Sequence, residues 1–203
     1  MVDKISCGEE KLWEMASDLD PAEVCKRTGV LYDKNTASYL LKFFGFDFSI
    51  SPFKREIKNP SKKGDVLRKR LAYFLNLSVL SYLLNAKEMV PSGRLIKPEN
   101  VRGGEFFFQG SHTLPLNKVA EKYGNDKEGF ITRGRELSGR LLEYGDASFE
   151  LLPMPRIPVT LILWLSDEEF PARTDLLFDS TCETQLPLDI IWSIAMMSIL
   201  VFL

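Results

Sequence analysis

The chain has 203 residues, of which 45% are hydrophobic and 27% charged, with a formal net charge of −2. That length suits one domain whose core needs no disulfide or metal staple. So balanced a charge sets up no field for nucleic acid or an anionic membrane.

From the N-terminus, MVDKISCGEEKLWEM carries charges throughout and lacks the apolar stretch of a secretion signal. Gly8 to Leu19 is predicted helical, with Leu12, Met15, Ala16 and Leu19 at helical spacing. Asp20-Pro21 supplies the cap and first turn of a short helix holding Val24 and Cys25, and Gly29 supplies its stop. Val30 to Asp33, Ser38 to Phe43 and Phe46 to Ile50 read as an antiparallel meander, separated by DKNTAS and the glycine of FFGFDF. The polar KREIKNPSKKGD reads as a surface loop, and Val66 to Ala86 carries the longest helical pattern.

A loop-rich middle follows, marked by PSGR and GG, with Glu105 to Phe108 predicted as a short strand. Pro115 opens a helix toward Tyr123, and Lys127 to Leu142 holds another. Ala147 to Leu152 and Val159 to Leu165 return to strand, the second apolar on both faces and so expected to be covered on both sides. Ile190 to Leu203 carries no charge over fourteen residues, short of the roughly 20 that a bilayer span needs. Residues 187–203 are therefore expected as an apolar helix packed on the core, with Pro187 at its first position. A membrane tail anchor or a partner-binding helix is the alternative. The pattern as a whole gives a single domain over 1–203 of the α+β class, with a mixed, largely antiparallel sheet and segregated helices.

Chemistry-bearing residues are few. The run LILWLSDEEFP drives an apolar strand into Asp167, Glu168 and Glu169. As a strand it would put Asp167 and Glu169 on one face, able to bind a hard cation or share a proton. As a plain strand end it would leave them solvated. Asp175 and Asp179 share a face if TDLLFDS is helical. His112 is the only histidine, suited to general-base work, to axial ligation of haem or a corrinoid, or to a loop position. Arg102 beside Gly103-Gly104 could hold an anion or form an ordinary turn. No phosphate loop or nucleophile elbow is present. The stretch from Lys54 to Arg70 is basic but poor in aromatics, which suits a solvated surface or an acidic partner protein rather than nucleic acid. Cys7, Cys25 and Cys182 are odd in number and widely spaced, and with one histidine they complete no zinc site, so a reducing cytoplasm is expected. Lys26 and Arg27 would lower the Cys25 pKa if that thiol were exposed, whereas its spacing with Val24 favours the core.

The segments DPAEVCKRTGVLYD and YGDASFELLPMPRIPVTLILWLSDEEFPARTDLLFDST resemble an uncharacterised prokaryotic family, domain-of-unknown-function family 3786, over about Leu12 to Leu188. The family is found mainly in anaerobes, and some members are fused to a four-cysteine iron–sulfur module like that of corrinoid methyl-transfer proteins. This chain lacks those four cysteines and so holds no such cluster, and its C-terminal end is more apolar than the resemblance implies. By that association the resemblance implies a cytoplasmic accessory protein that handles a redox or tetrapyrrole-type cofactor in anaerobic metabolism, or docks on a metabolic partner. It directs attention to Gly145, Asp146, Trp164, Asp167, Glu168, Glu169, Phe170 and Asp179. Two other readings stand beside it. One is a small-molecule enzyme using acids drawn from Asp146, Asp167, Glu169 and Asp179. The other is an interaction module using the apolar tail or the basic stretch.

Overall fold

The computed structural model describes residues 8–203, so Cys7 and the start of the N-terminal segment lie outside the described residues. Helix α1 (Glu9–Ser17) and helix α2 (Pro21–Thr28) form where the spacing and the Asp20 cap predict them. The Asp20 carboxylate accepts the Ala22 N–H at 3.0 Å, and Gly29 ends α2 at φ 76°. Strands β1 (Leu31–Asp33), β2 (Ser38–Phe43), β3 (Phe46–Ser51) and β4 (Glu56–Lys58) build one antiparallel sheet in that order. The stretch read as a loop therefore contains an edge strand: Ile57 pairs with Ile50 and is buried on the sheet's inner face. Three residues with a single apolar side chain give too short a signal for alternation to detect.

Helix α3 (Lys62–Asn85) starts a turn earlier than its apolar face suggests, because the Ser61 hydroxyl caps the Gly64 N–H at 3.0 Å. It packs against α1 and against α8 (Leu188–Leu200). The Arg27 guanidinium binds the Leu83 and Ala86 carbonyls at its C-terminal end.

Two assignments from periodicity are corrected. Glu105 to Phe108 is not a strand. A single helical turn, α4 (Gly104–Phe107), follows Gly103 at φ 80°, and a Cβ on Gly104 would lie 2.2 Å from the Pro98 carbonyl oxygen. The helix predicted over Lys127 to Leu142 stops at Glu136 (α6, Lys127–Glu136), and strand β6 (Arg140–Leu142) follows. Ser138 takes the left-handed position at φ 56° and the Gly139 N–H reaches back to the Gly134 carbonyl. That closure belongs to glycine in most helices, so a serine there hides the stop.

The second sheet runs β5 (Leu95–Ile96), β9 (Arg173–Asp179), β8 (Ile157–Trp164), β7 (Ala147–Met154), β6, again antiparallel throughout. The class is α+β, with the strands divided between two antiparallel sheets rather than gathered in one mixed sheet. Phe149 of β7, Leu161 of β8 and Leu176 of β9 lie in one row on the inner face, all buried. Thr160 and Ile162 on the opposite face are also buried, as the doubly apolar β8 requires. Phe130 of α6 and Phe202 pack at 4.8 Å over this inner face, with Tyr123 of α5 (Leu116–Tyr123) beside them.

The apolar C-terminal run is helix α8, buried along most of its length, with Pro187 at the cap rather than the first turn. Among the described residues no helix is long and apolar enough to cross a membrane. One apolar core runs from α1 and the first sheet through α3 and α8 into the second. The two sheets abut where the Phe44 N–H donates to the Leu152 carbonyl at 3.0 Å.

Candidate functional site

The residues to which the resemblance directed attention gather largely at one end of β8, where they build a strand-end clamp. A Cβ on Gly145, which sits at φ 58°, would fall 2.7 Å from Ile162 Cγ2 and 2.8 Å from the Leu163 carbonyl oxygen, so only glycine lets the turn lie this close to β8. The Asp146 N–H donates to the Leu163 carbonyl, and its Oδ2 accepts the Leu165 N–H at 2.8 Å. Trp164 Nε1 donates to Asp175 Oδ2 at 2.8 Å. The Arg173 guanidinium lies 4.4 Å above the Trp164 ring and pairs with Asp175 at 3.0 Å. Sequence reasoning had missed Arg173; its position opposite Trp164 follows only from the β8–β9 register.

The DEEF run is not a strand. Past Trp164 the chain turns, and Asp167 Oδ1 accepts the N–H groups of Glu169 and Phe170 at 2.9 and 2.7 Å. Strand alternation is lost there, so no shared face of Asp167 and Glu169 forms. Glu168, Glu169 and Phe170 are exposed. TDLLFDS is strand rather than helix, and Asp179 lies at the far end of β9, about 20 Å along the strand from Arg173.

Asp179 is only 2% exposed. Its oxygens accept from the Ser92 N–H and hydroxyl, the Gly93 N–H, and the Thr181 N–H and hydroxyl. Burial raises its pKa, but the bonds from Thr181, then Ser92 and Gly93, outweigh that and hold it below the ordinary carboxylate range. Asp146, Asp167 and Asp179 thus each accept hydrogen bonds from backbone N–H groups, and they do not converge on one pocket. Among the described residues no three His, Cys, Asp or Glu side chains are placed to hold a metal ion.

His112 sits in a helical turn at Gly110–His112. Its ring stacks on Phe107 at 4.4 Å and meets the edge of Trp192 at 5.1 Å, and its carbonyl accepts the Trp192 indole N–H. A small cavity of about 160 Å³ lies next to it, lined by Pro98, Thr113, Leu116, Asp175 and Leu177 but not by His112 itself. Such a space is well below the roughly 300–1,000 Å³ of sites for drug-sized ligands. The Arg102 side chain is exposed, and its backbone N–H donates to Glu183 at 3.0 Å. Cys25 is half-buried, and burial raises its thiol pKa, so the neighbouring cations do not activate it.

The large concavity lies elsewhere. A groove of about 1280 Å³ is lined by the first sheet, by Trp13 of α1 and Asp65, Arg68 and Asn76 of α3 beside it, and by Leu152 and Pro155 where it meets the second sheet. Its floor holds the cross-strand pair Leu31 and Leu40. Leu31 is 69% exposed, Leu40 42% and Leu152 45%, three uncovered leucines that line one concavity, whereas other exposed apolar side chains such as Phe53, Tyr73 and Phe106 stand outside it. The rim carries Lys42 paired with Asp47 at 2.8 Å and Arg68 paired with Asp65 at 3.0 Å. Hydrogen bonds from Lys69, then Arg68, keep the Asp65 carboxyl below its usual range.

Four backbone positions with positive φ line the groove: Gly29, Gly45, Arg55 and Ser138, at 76°, 80°, 51° and 56°. Of the residues singled out from sequence, Arg55, Lys58 and Arg68 of the basic stretch line this groove, whereas Arg102, His112 and the run from Gly145 to Asp179 contribute only Leu152 and Pro155. One signal was available: burial of Tyr39, Leu41 and Phe43 forces Leu40 onto the opposite face of β2.

Searches of curated proteins and of solved structures found no match. A family model does match, described as Domain of unknown function (DUF3786), over residues 20–200. That span takes in both sheets, the groove floor and the strand-end clamp, and the chain belongs to this family.

Proposed function

We propose that the protein is a non-catalytic accessory protein that holds its ligand in the groove over the first sheet. The observation that carries this is the cluster of exposed Leu31, Leu40 and Leu152 inside a concavity of about 1280 Å³. The carboxylates of an enzyme reading add support, since Asp146, Asp167 and Asp179 act as backbone acceptors at separate turns. A cytoplasmic setting, anaerobic metabolism and a metabolic partner protein belong to the same reading. They are supported by the family resemblance and by cysteines without a motif spacing.

N-phenyl-1-naphthylamine, an uncharged apolar dye, tests the groove. It should fluoresce with the wild type and bind Leu40→Asp or Leu152→Asp at least about tenfold more weakly, equivalent to about 1.4 kcal/mol. Both side chains already face solvent, so melting should shift by no more than the roughly 0.5 kcal/mol of an ordinary surface change. Undiminished dye binding by both variants would remove the groove as the site.

A tetrapyrrole held by His112 is a second reading, supported by the family resemblance and by this being the only histidine, although the imidazole stacks on Phe107 and the neighbouring cavity of about 160 Å³ is not lined by it. Haem and cobalamin titrations by absorbance check it. On this reading a Soret or corrin band shifts with the wild type and is unchanged by adding either cofactor to His112→Ala. An identical shift in both proteins excludes ligation by this histidine.

A further inference from the structure

The lining of the groove specifies the chemistry of its ligand, an inference that rests on the binding reading above. All seven charged side chains that line it are already ion-paired. Lys42 pairs with Asp47 and Lys58 with Glu56, at 2.8 and 2.7 Å. Arg68 pairs with Asp65 at 3.0 Å, and Arg55 reaches Glu10 and Glu14 of α1 at 3.3 and 3.6 Å. The two lining asparagines are engaged as well. Asn59 donates to the Asp47 carbonyl and accepts from Ser61, and Asn76 donates to Glu9.

A carboxylate or phosphate entering this groove would only exchange one anionic partner of a lysine or arginine for another. It would gain little and would leave Asp47 or Glu56 unpaired beside it. An uncharged apolar molecule disturbs none of these pairs and covers Leu31, Leu40, Leu152 and Pro155. At about 1280 Å³ the groove has room for a long chain as well as a compact ligand.

We infer that the groove binds a neutral lipid-like chain, an uncharged acyl or isoprenoid molecule, and selects against the same chain carrying an anionic head. The discrimination comes from the pre-paired rim, and the affinity comes from the leucine floor.

Competition against N-phenyl-1-naphthylamine tests this with 1-hexadecanol, palmitate, hexadecyl phosphate and an uncharged leucine-rich peptide. The expected result is displacement by hexadecanol at least about tenfold more effective than by palmitate or hexadecyl phosphate. Dye and hexadecanol affinity should stay constant or rise between about 50 and 500 mM salt, because no charge is recognised. Releasing a lysine from its carboxylate by Asp47→Asn or Glu56→Gln should improve palmitate selectively. Preference for palmitate or the phosphate, with affinity falling as salt rises, overturns the neutral-ligand inference while leaving the groove as the site. Displacement by the peptide but not by hexadecanol overturns it in favour of a partner segment. Dye binding that is indifferent to Leu40→Asp defeats the groove reading itself, a separate failure.

Discussion

Asp179→Asn is expected to destabilise the fold by about 3 kcal/mol, measured by urea denaturation near neutral pH. The carboxylate gathers five donors from Ser92, Gly93 and Thr181 around a site almost closed to water. An amide keeps the shape but turns an NH2 toward N–H groups that have no other acceptor in place. The loop before β5 and the turn entering α7 (Cys182–Gln185) both hang on this one side chain.

The pH dependence follows from the direction of the shift. Asp179 has a folded pKa below its ordinary value, so its stabilisation is complete above the unfolded carboxylate pKa of about 3.9 and is lost as pH falls through the lower folded value. Wild type and Asp179→Asn should therefore differ by a constant amount above about pH 4, begin to converge below it, and meet only below the lower folded pKa. A gap that persists unchanged deep into acid would show that the carboxylate charge is not what the loop requires.

The second large effect sits at the β2–β3 hairpin. Phe44 and Gly45 both have positive φ, 46° and 80°, which is the pattern of a two-residue type I′ turn. Phe44 is fully buried, so packing offsets the backbone cost that asparagine would avoid. A Cβ on Gly45 would lie 2.3 Å from Ser138 Oγ and 2.6 Å from Ser138 Cβ, and Ser138 is itself left-handed. Gly45→Ala should cost about 2 kcal/mol and Gly45→Val about 3 kcal/mol or more. Gly93→Ala is the control: φ there is also positive, at 76°, but nothing lies within 4 Å, so only the backbone cost of about 1 kcal/mol remains. Equal losses at Gly45 and Gly93 would mean that the contact with Ser138 contributes nothing.

Much of this architecture was legible from residue order because its signals are local. The Asp20 cap, the Gly29 stop, the meander and the doubly apolar β8 each declare themselves within a few residues. What escaped depends on residues doing the work of others. Ser138 closes α6 where glycine usually would, and three-residue β4 is defined by its partner rather than by its own pattern.

The candidate site divides along the same line. The run from Gly145 to Phe170 was visible as a motif. Its role as a clamp depends on the register that brings Trp164 opposite Arg173 and sets Gly145 beneath β8. The groove needs contact between two sheets far apart in sequence, since Leu40 and Leu152, more than a hundred residues apart, both line it. No pattern within one segment announces such a surface. Exposed leucines on a half-covered sheet are the one local hint, and β2 carried it.

Hydrogen–deuterium exchange with and without 1-hexadecanol tests the central claim most directly. Protection is predicted to concentrate in peptides covering β1 to β3 and the Leu152–Pro155 hairpin, and to vanish in Leu40→Asp. Protection centred instead on Phe107 to His112, or on the Asp167–Phe170 turn, would contradict the groove as the binding site.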